Sequence, residues 1–246
     1  MNRWLYGLLG ASLLFASGCE GWLAGVPKNT VMVKKIAGER QPEEAYEGIL
    51  SQDAVKTLSL SAINKFYDQH LTMDGLQFEL RAVDQNKIKD LLVETNQARA
   101  RPQGESAELR FDYKPMLDRI PGGLYTIILT QLKAPKEVFE VVLNARDGDV
   151  LKLSRTGASR QSEPAVIGRE KVFTLADRFL EEKGIYPFAE LAFNPSMTRW
   201  GVDAELYYTD ITGQSLRYGV TVSNRRNEVV GFSKDVMALL GYYSRL

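Results

Sequence analysis

The sequence predicts an α+β protein of two related units, each a helix packed on an antiparallel meander sheet, behind an N-terminal targeting segment. Three observations predict it. Two stretches with apolar residues at three- and four-residue spacing are each followed by short, alternating, β-branched runs separated by turn residues. Moved along itself by 79 residues without a gap, the chain lays residues 124–155 on 203–234. A length of 246 residues, with 44% hydrophobic and 25% charged side chains, supplies enough apolar surface for a sizeable core.

The first element, residues 1–18, opens on Arg3 and continues through Leu5, Leu8, Leu9, Leu13, Leu14 and Phe15 without further charge. A basic start, a brief apolar run and small residues at a cut site form the pattern of a secretory signal. The run is shorter than the roughly 20 residues needed to cross a bilayer. Ala16-Ser17-Gly18-Cys19 resembles the bacterial lipobox, which implies cleavage after Gly18 and acylation of Cys19. An uncleaved anchor, or an ordinary signal with an incidental cysteine, is the competing reading. Cys19 is the chain's one cysteine, so it has no disulfide partner and the fold is stabilised by packing alone. Residues 19–30, with Gly21, Gly25 and Pro27, read as a tether from a membrane anchor.

The first unit spans residues 31–156. A short strand is expected over 31–36. Ser51 then caps a helix with Asp53 in its first turn and Val55, Leu58, Ala62, Ile63 and Phe66 on one face, fraying near His70. Asp74-Gly75 turns into an alternating strand over 76–80. An inserted helix over 85–99 places Ile88, Leu91, Leu92 and Thr95 inward. Strands are expected over 107–113, 124–132, 138–143 and 150–153, with Pro121-Gly122-Gly123 and Asp147-Gly148 as turns. Residues 156–168, rich in Ser and Gly with Pro164, read as a linker.

The second unit spans 169–246. Its helix over 169–183 carries Val172, Ala176, Phe179 and Leu180 on one side and ends at Gly184. A short strand over 188–193, a loop over 194–201 and strands over 204–211, 215–223 and 228–232 follow. Residues 224–227 turn between the last two strands.

In the 79-residue alignment Val141 meets Val220, Arg146 meets Arg225, Val150 meets Val229 and Ser154 meets Ser233. The stretch from Val138 to Leu151, a strand, a turn ending in glycine, an acidic residue and then valine, resembles the hairpin of PepSY domains. The second copy has Asn227 where the first has Gly148, and asparagine also tolerates the turn conformation. The resemblance implies a cystatin-like helix on an antiparallel sheet, in tandem. It also implies a non-catalytic module of the kind found in peptidase propeptides, in YpeB and in cell-surface lipoproteins, with no catalytic residues to carry over.

The residues themselves offer little chemistry. His70 is the one histidine, which leaves no histidine cluster for a metal, and no Gly-x-Ser-x-Gly elbow presents a nucleophile. Asp147-Gly148-Asp149 lacks the run of oxygen ligands that calcium loops supply. No metal, no cofactor and no enzyme activity are expected. With 31 basic and 31 acidic residues, nothing points to nucleic acid. The expected partners are a membrane, through a lipid on Cys19, and an envelope protein or peptide. Trp200, Met197, Tyr242 and Tyr243 are candidate interface residues because aromatic and methionine side chains are enriched in interface cores. Arg146, Arg225 and Arg226, at equivalent hairpin tips, are candidates for an acidic partner. Covering an open sheet face explains the first set equally, and ordinary turn chemistry the second. The rival functions are a carrier of a lipid or apolar small molecule, which requires a cavity between helix and sheet, an envelope enzyme with convergent carboxylates, and a purely structural protein.

Overall fold

Helix α1, Gln52–Tyr67, starts where its cap dictates. The Ser51 hydroxyl accepts the Ala54 N–H at 3.3 Å, and Asp53 sits in the first turn. Val55, Ser59, Ala62 and Ile63 form its buried stripe. Leu58, expected inward, flanks that stripe and is 37% exposed. The helix ends at Asp68 in the left-handed region, φ 50°, whose N–H reaches back to the Asn64 carbonyl. These coordinates are a computed structural model, which describes residues 49–99, 111–157 and 168–244. The expected targeting segment with Gly18 and Cys19, the expected tether and 31–36 strand, and most of the expected 156–168 linker lie outside the described residues.

Strand β1 (Leu76–Val83) leads into α2 (Gln85–Arg99), which buries Ile88 and Leu92. Leu91, also expected inward, is 49% exposed, because the stripe that α2 buries carries Ile88 and Leu92 at four-residue spacing. The described part of the expected 107–113 strand is not a strand. Phe111 and Tyr113 instead enter a short helix α3 (Lys114–Leu117), with Pro115 in its first turn. Strands β2 (Leu124–Gln131), β3 (Ala134–Asn144) and β4 (Val150–Thr156) form the first meander. Helix α4 (Arg169–Lys183) follows, then β5 (Leu191–Phe193), β6 (Asp203–Asp210), β7 (Leu216–Ser223) and β8 (Glu228–Lys234). Single 3₁₀ turns over Phe188–Glu190 and Pro195–Met197 flank β5, which is shorter than the sequence suggests. The C-terminal apolar stretch is a helix, α5 (Val236–Ser244). Among the described residues no helix is long and apolar enough to cross a membrane.

Among the described residues eight strands make one antiparallel sheet in the order β1-β2-β3-β4-β8-β7-β6-β5. The strands of the two expected units therefore join through their last members, β4 and β8. Alternation assigns one side chain in two to each face. Ile127, Leu129, Phe139, Val141, Leu153, Val220 and Phe232 face α1 and α4. Leu124, Val142, Leu151, Tyr207 and Leu216 face α2, α3 and α5. The sheet is covered on both sides, where a one-helix-per-sheet arrangement would leave one face to solvent.

The pairing repeats at the 79-residue offset. Leu124 pairs with Asn144 and Asp203 with Ser223, and the bulge between Val142 and Leu143 has its counterpart between Thr221 and Val222. Gly148 (φ 75°) and Asn227 (φ 57°) occupy the left-handed region at the equivalent turns. At the seam Leu153 faces Phe232, again 79 residues on, which is the pairing that a local two-fold axis between β4 and β8 produces.

Helices α1 and α4 both end over this axis. The rings of Phe66 from α1 and Phe179 from α4 lie 4.8 and 5.5 Å from Phe232. Tyr67 donates to the Val230 carbonyl at 2.7 Å, and Lys183 donates to the Phe66 carbonyl at 2.9 Å, at the negative end of α1. Leu153 is almost fully buried at this junction. Leu153→Ala is expected to cost about 2–5 kcal/mol, read from urea unfolding midpoints and m-values.

Candidate functional site

At the end of the seam where β4 begins and β8 stops lies a cleft of about 400 Å³. Four segments build it: the loop after α3, the β3–β4 turn, the α4–β5 connection and the junction of β8 with α5. Its apolar floor comes from Met116, Ile120, Leu151 and Val236, and Ile185 stands on the rim, 65% exposed.

The polar walls are tied into one network. Lys234 is buried, and its ammonium donates to Asp149 Oδ1 at 2.6 Å. Asp235, also buried, adopts φ 49° where the chain leaves β8. Its N–H donates to the Arg217 carbonyl and its own carbonyl receives the first bond of α5, from Leu239. Aspartate tolerates this left-handed turn better than most residues do. The Asp235 carboxylate accepts the Tyr186 hydroxyl, at 2.8 and 2.9 Å, and lies 3.5 Å from Arg119 and 3.7 Å from Arg217. Arg119 Nη1 in turn donates to the Tyr186 oxygen at 2.6 Å.

Burial, then the Asp235 charge, push the Tyr186 phenol above its usual pKa, so it stays a neutral donor. For Arg119 burial works against the charge, but Tyr186 and Asp235 outweigh it and the guanidinium is stabilised overall. Asn144, buried below, donates to the Arg119 carbonyl at 3.0 Å and holds the loop in place. The guanidinium of Arg146 is exposed, with no side-chain partner among the described residues. The cleft thus offers fixed donors and charges around an apolar floor, with the Arg146 cation at its mouth unpaired among the described residues.

The structure separates the three arginines expected to act together. Arg146 borders the cleft. Arg226 lies at the other end of the seam, where Nη2 donates to the Gly157 carbonyl at 2.9 Å and Glu228 is 3.7 Å away. Arg225 is exposed beside it. Because β4 and β8 run antiparallel, equivalent hairpin tips fall at opposite ends, so these three form no single surface.

The aromatic candidates are separated as well. Trp200, 41% exposed, lies edge-on to Phe173 of α4 with Arg169 4.9 Å over its ring. Met197 and Tyr243 are buried on the opposite face of the sheet. Tyr242 packs on Tyr207 and Arg199, and Arg199 donates to its carbonyl at 2.6 Å. Met197, Tyr242 and Tyr243 thus anchor α5 and form no open patch. Lys234, Asp235, Tyr186 and Arg119 are absent from the sequence reading, since they come from three separate segments. A Lys-Asp pair closing an apolar strand, in place of the expected alternation, is the one local clue. Among the described residues no group of three or more His, Cys, Asp or Glu side chains is placed to hold a metal.

No family model and no curated protein matches the chain. One solved structure resembles it. The Bacillus megaterium YpeB C-terminal domain is 13% identical and superposes over 78% of this chain with a TM-score of 0.44. The match spans 66% of that chain's length.

Three substitutions test the ionic groups. Asp149→Ala strands the buried Lys234 ammonium and is expected to destabilise by about 1–3 kcal/mol. Lys234→Met, which keeps the packing and removes the charge, is expected to be close to neutral by the same urea titration. Asp210 lies 3.7 Å from Arg217 and closes the β6–β7 turn, accepting Thr212 Oγ1 at 2.7 Å and the Gln214 N–H at 3.0 Å. Burial opposes its ionisation, but these hydrogen bonds outweigh it and hold the carboxyl below the ordinary value of 3.8. Its contribution is therefore present above that value and lost as pH falls through the lowered one. Wild type and Asp210→Asn should differ in unfolding midpoint at pH 7 and converge in strong acid.

Proposed function

We propose that the protein is a lipid-anchored, extracytoplasmic module that recognises a protein or peptide segment without bond chemistry and so regulates an envelope hydrolase or sensor. The observation that carries this reading is the state of the cleft's polar groups. Tyr186, Asp235, Arg119 and Arg217 satisfy one another, as do Lys234 and Asp149. Such groups present a fixed pattern of charge and donors, which suits recognition. A volume of about 400 Å³ matches a site for a few side chains of a ligand.

The lipid anchor in this proposal rests on Ala16-Ser17-Gly18-Cys19, with the acyl chains on Cys19. A tandem of PepSY-like units is part of the same reading, and the coincidence of strand registers and bulges at 79 residues supports it. The carrier alternative loses ground because Val55, Ile63, Val172 and Leu180 fill the space between α1, α4 and the sheet.

The test is crosslinking of the lipidated protein in its native envelope beside a Cys19→Ala form, with mass spectrometry of bound proteins and lipids. Near-stoichiometric recovery of one hydrolase or sensor is expected. Arg146→Glu should reduce that recovery about tenfold, without changing the urea midpoint, since an exposed charge at an interface contributes to partner choice and little to the fold. A discrete lipid with no protein would overturn the proposal.

A further inference from the structure

The two edges of the sheet are unlike. β5 is three residues long, and a short edge is protected from further pairing. β1 is eight residues long, pairs with β2 along its whole length and, among the described residues, has no strand on its other side. The phase of its ladder is set at one end, where the Leu132 N–H donates to the Gly75 carbonyl and Leu76 is registered with Gln131. Since hydrogen-bonded and non-hydrogen-bonded pairs alternate, Gln77, Glu79 and Arg81 bond to β2. Phe78, Leu80 and Ala82 then turn their N–H and C=O groups to the open edge. Glu79 and Arg81 are exposed, two residues apart, and without an ion-pair partner among the described residues.

We propose that β1 is a self-pairing edge, along which two copies of this chain join antiparallel about a two-fold axis at Leu80. With Leu80 opposite Leu80, the outward backbone groups of Phe78 meet those of Ala82 in the second copy, which is the phase the ladder to β2 leaves free. Glu79 then faces Arg81 of the second copy, and Arg81 faces its Glu79. Both are non-hydrogen-bonded pairs, the positions where opposed side chains approach most closely. A large ring meets a small side chain at Phe78 and Ala82. One register thus satisfies backbone phase, charge and volume together. A shift of one residue pair along the strand sets Glu79 against Glu79 or Arg81 against Arg81. The sheet continues from one copy into the other, and the edge is covered. This inference is independent of the cleft and of its ligand.

Sedimentation velocity of the full-length chain in non-ionic detergent reads the association directly. A reversible dimer is expected. Glu79→Arg or Arg81→Glu alone should weaken it at least about tenfold, because each turns both symmetry-related pairs repulsive, and the double exchange should restore it. Ala82→Pro removes an N–H that does not bond to β2, so it should weaken the dimer while the urea midpoint holds. A chain that remains monomeric at about 100 µM overturns the proposal. So does a dimer indifferent to the charge changes, and so does a monomer whose β1 edge takes up a strand of another protein.

Discussion

The fold depends on a narrow seam. Three register pairs join β4 to β8, with Leu153 facing Phe232 at their centre. Each end of the seam is held by an ion pair, Lys234 with Asp149 at 2.6 Å and Arg155 with Glu228 at 3.6 Å. These pairs are one another's counterparts at the 79-residue offset. Short ladders are weak by themselves, so the aromatic cluster of Phe66, Phe179 and Phe232 and the bond from Tyr67 to Val230 matter here. They bring α1 and α4 onto the junction, which makes the two meanders one cooperative sheet.

Equivalent ends of the seam have different surroundings. At one end Arg226 closes over the Gly157 carbonyl and Arg155 sits between Glu137 and Glu228. At the other, α3 and the start of α5 stand apart and leave the cleft, walled by Asp235, Tyr186 and Arg119. The site therefore arises where additions to the repeat, α3 before β2 and α5 after β8, break its symmetry. A buried carboxylate is tolerable there because a phenol and two guanidiniums surround it.

Much of the fold was legible in local patterns. The Ser51 cap, helices over 85–99 and 169–183, and the turns at Gly148 and Asn227 follow from residue chemistry within a few positions, and the structure places them there. Misreadings cluster where an alternating or apolar pattern has two outcomes. Phe111 and Tyr113 alternate like a strand yet pack from irregular chain beside α3. Leu58 and Leu91 belong to apolar stripes, but a helix resting on one sheet buries a narrower arc than its sequence offers.

The sequence by itself determined the α+β class and most of the helices and strands of the described residues, because these are written in spacing and in residue type. Tertiary structure alone decided that both meanders form one sheet and that its second face is covered. It also decided that equivalent hairpin tips lie at opposite ends and that Arg119, Tyr186, Lys234 and Asp235 meet. The reason is physical: local pattern specifies which face of a strand or helix is buried, whereas the partner of that face depends on the order of strands and the direction in which they run. No residue between Arg119 and Asp235 encodes their approach to 3.5 Å; the antiparallel join at Leu153 and Phe232 does.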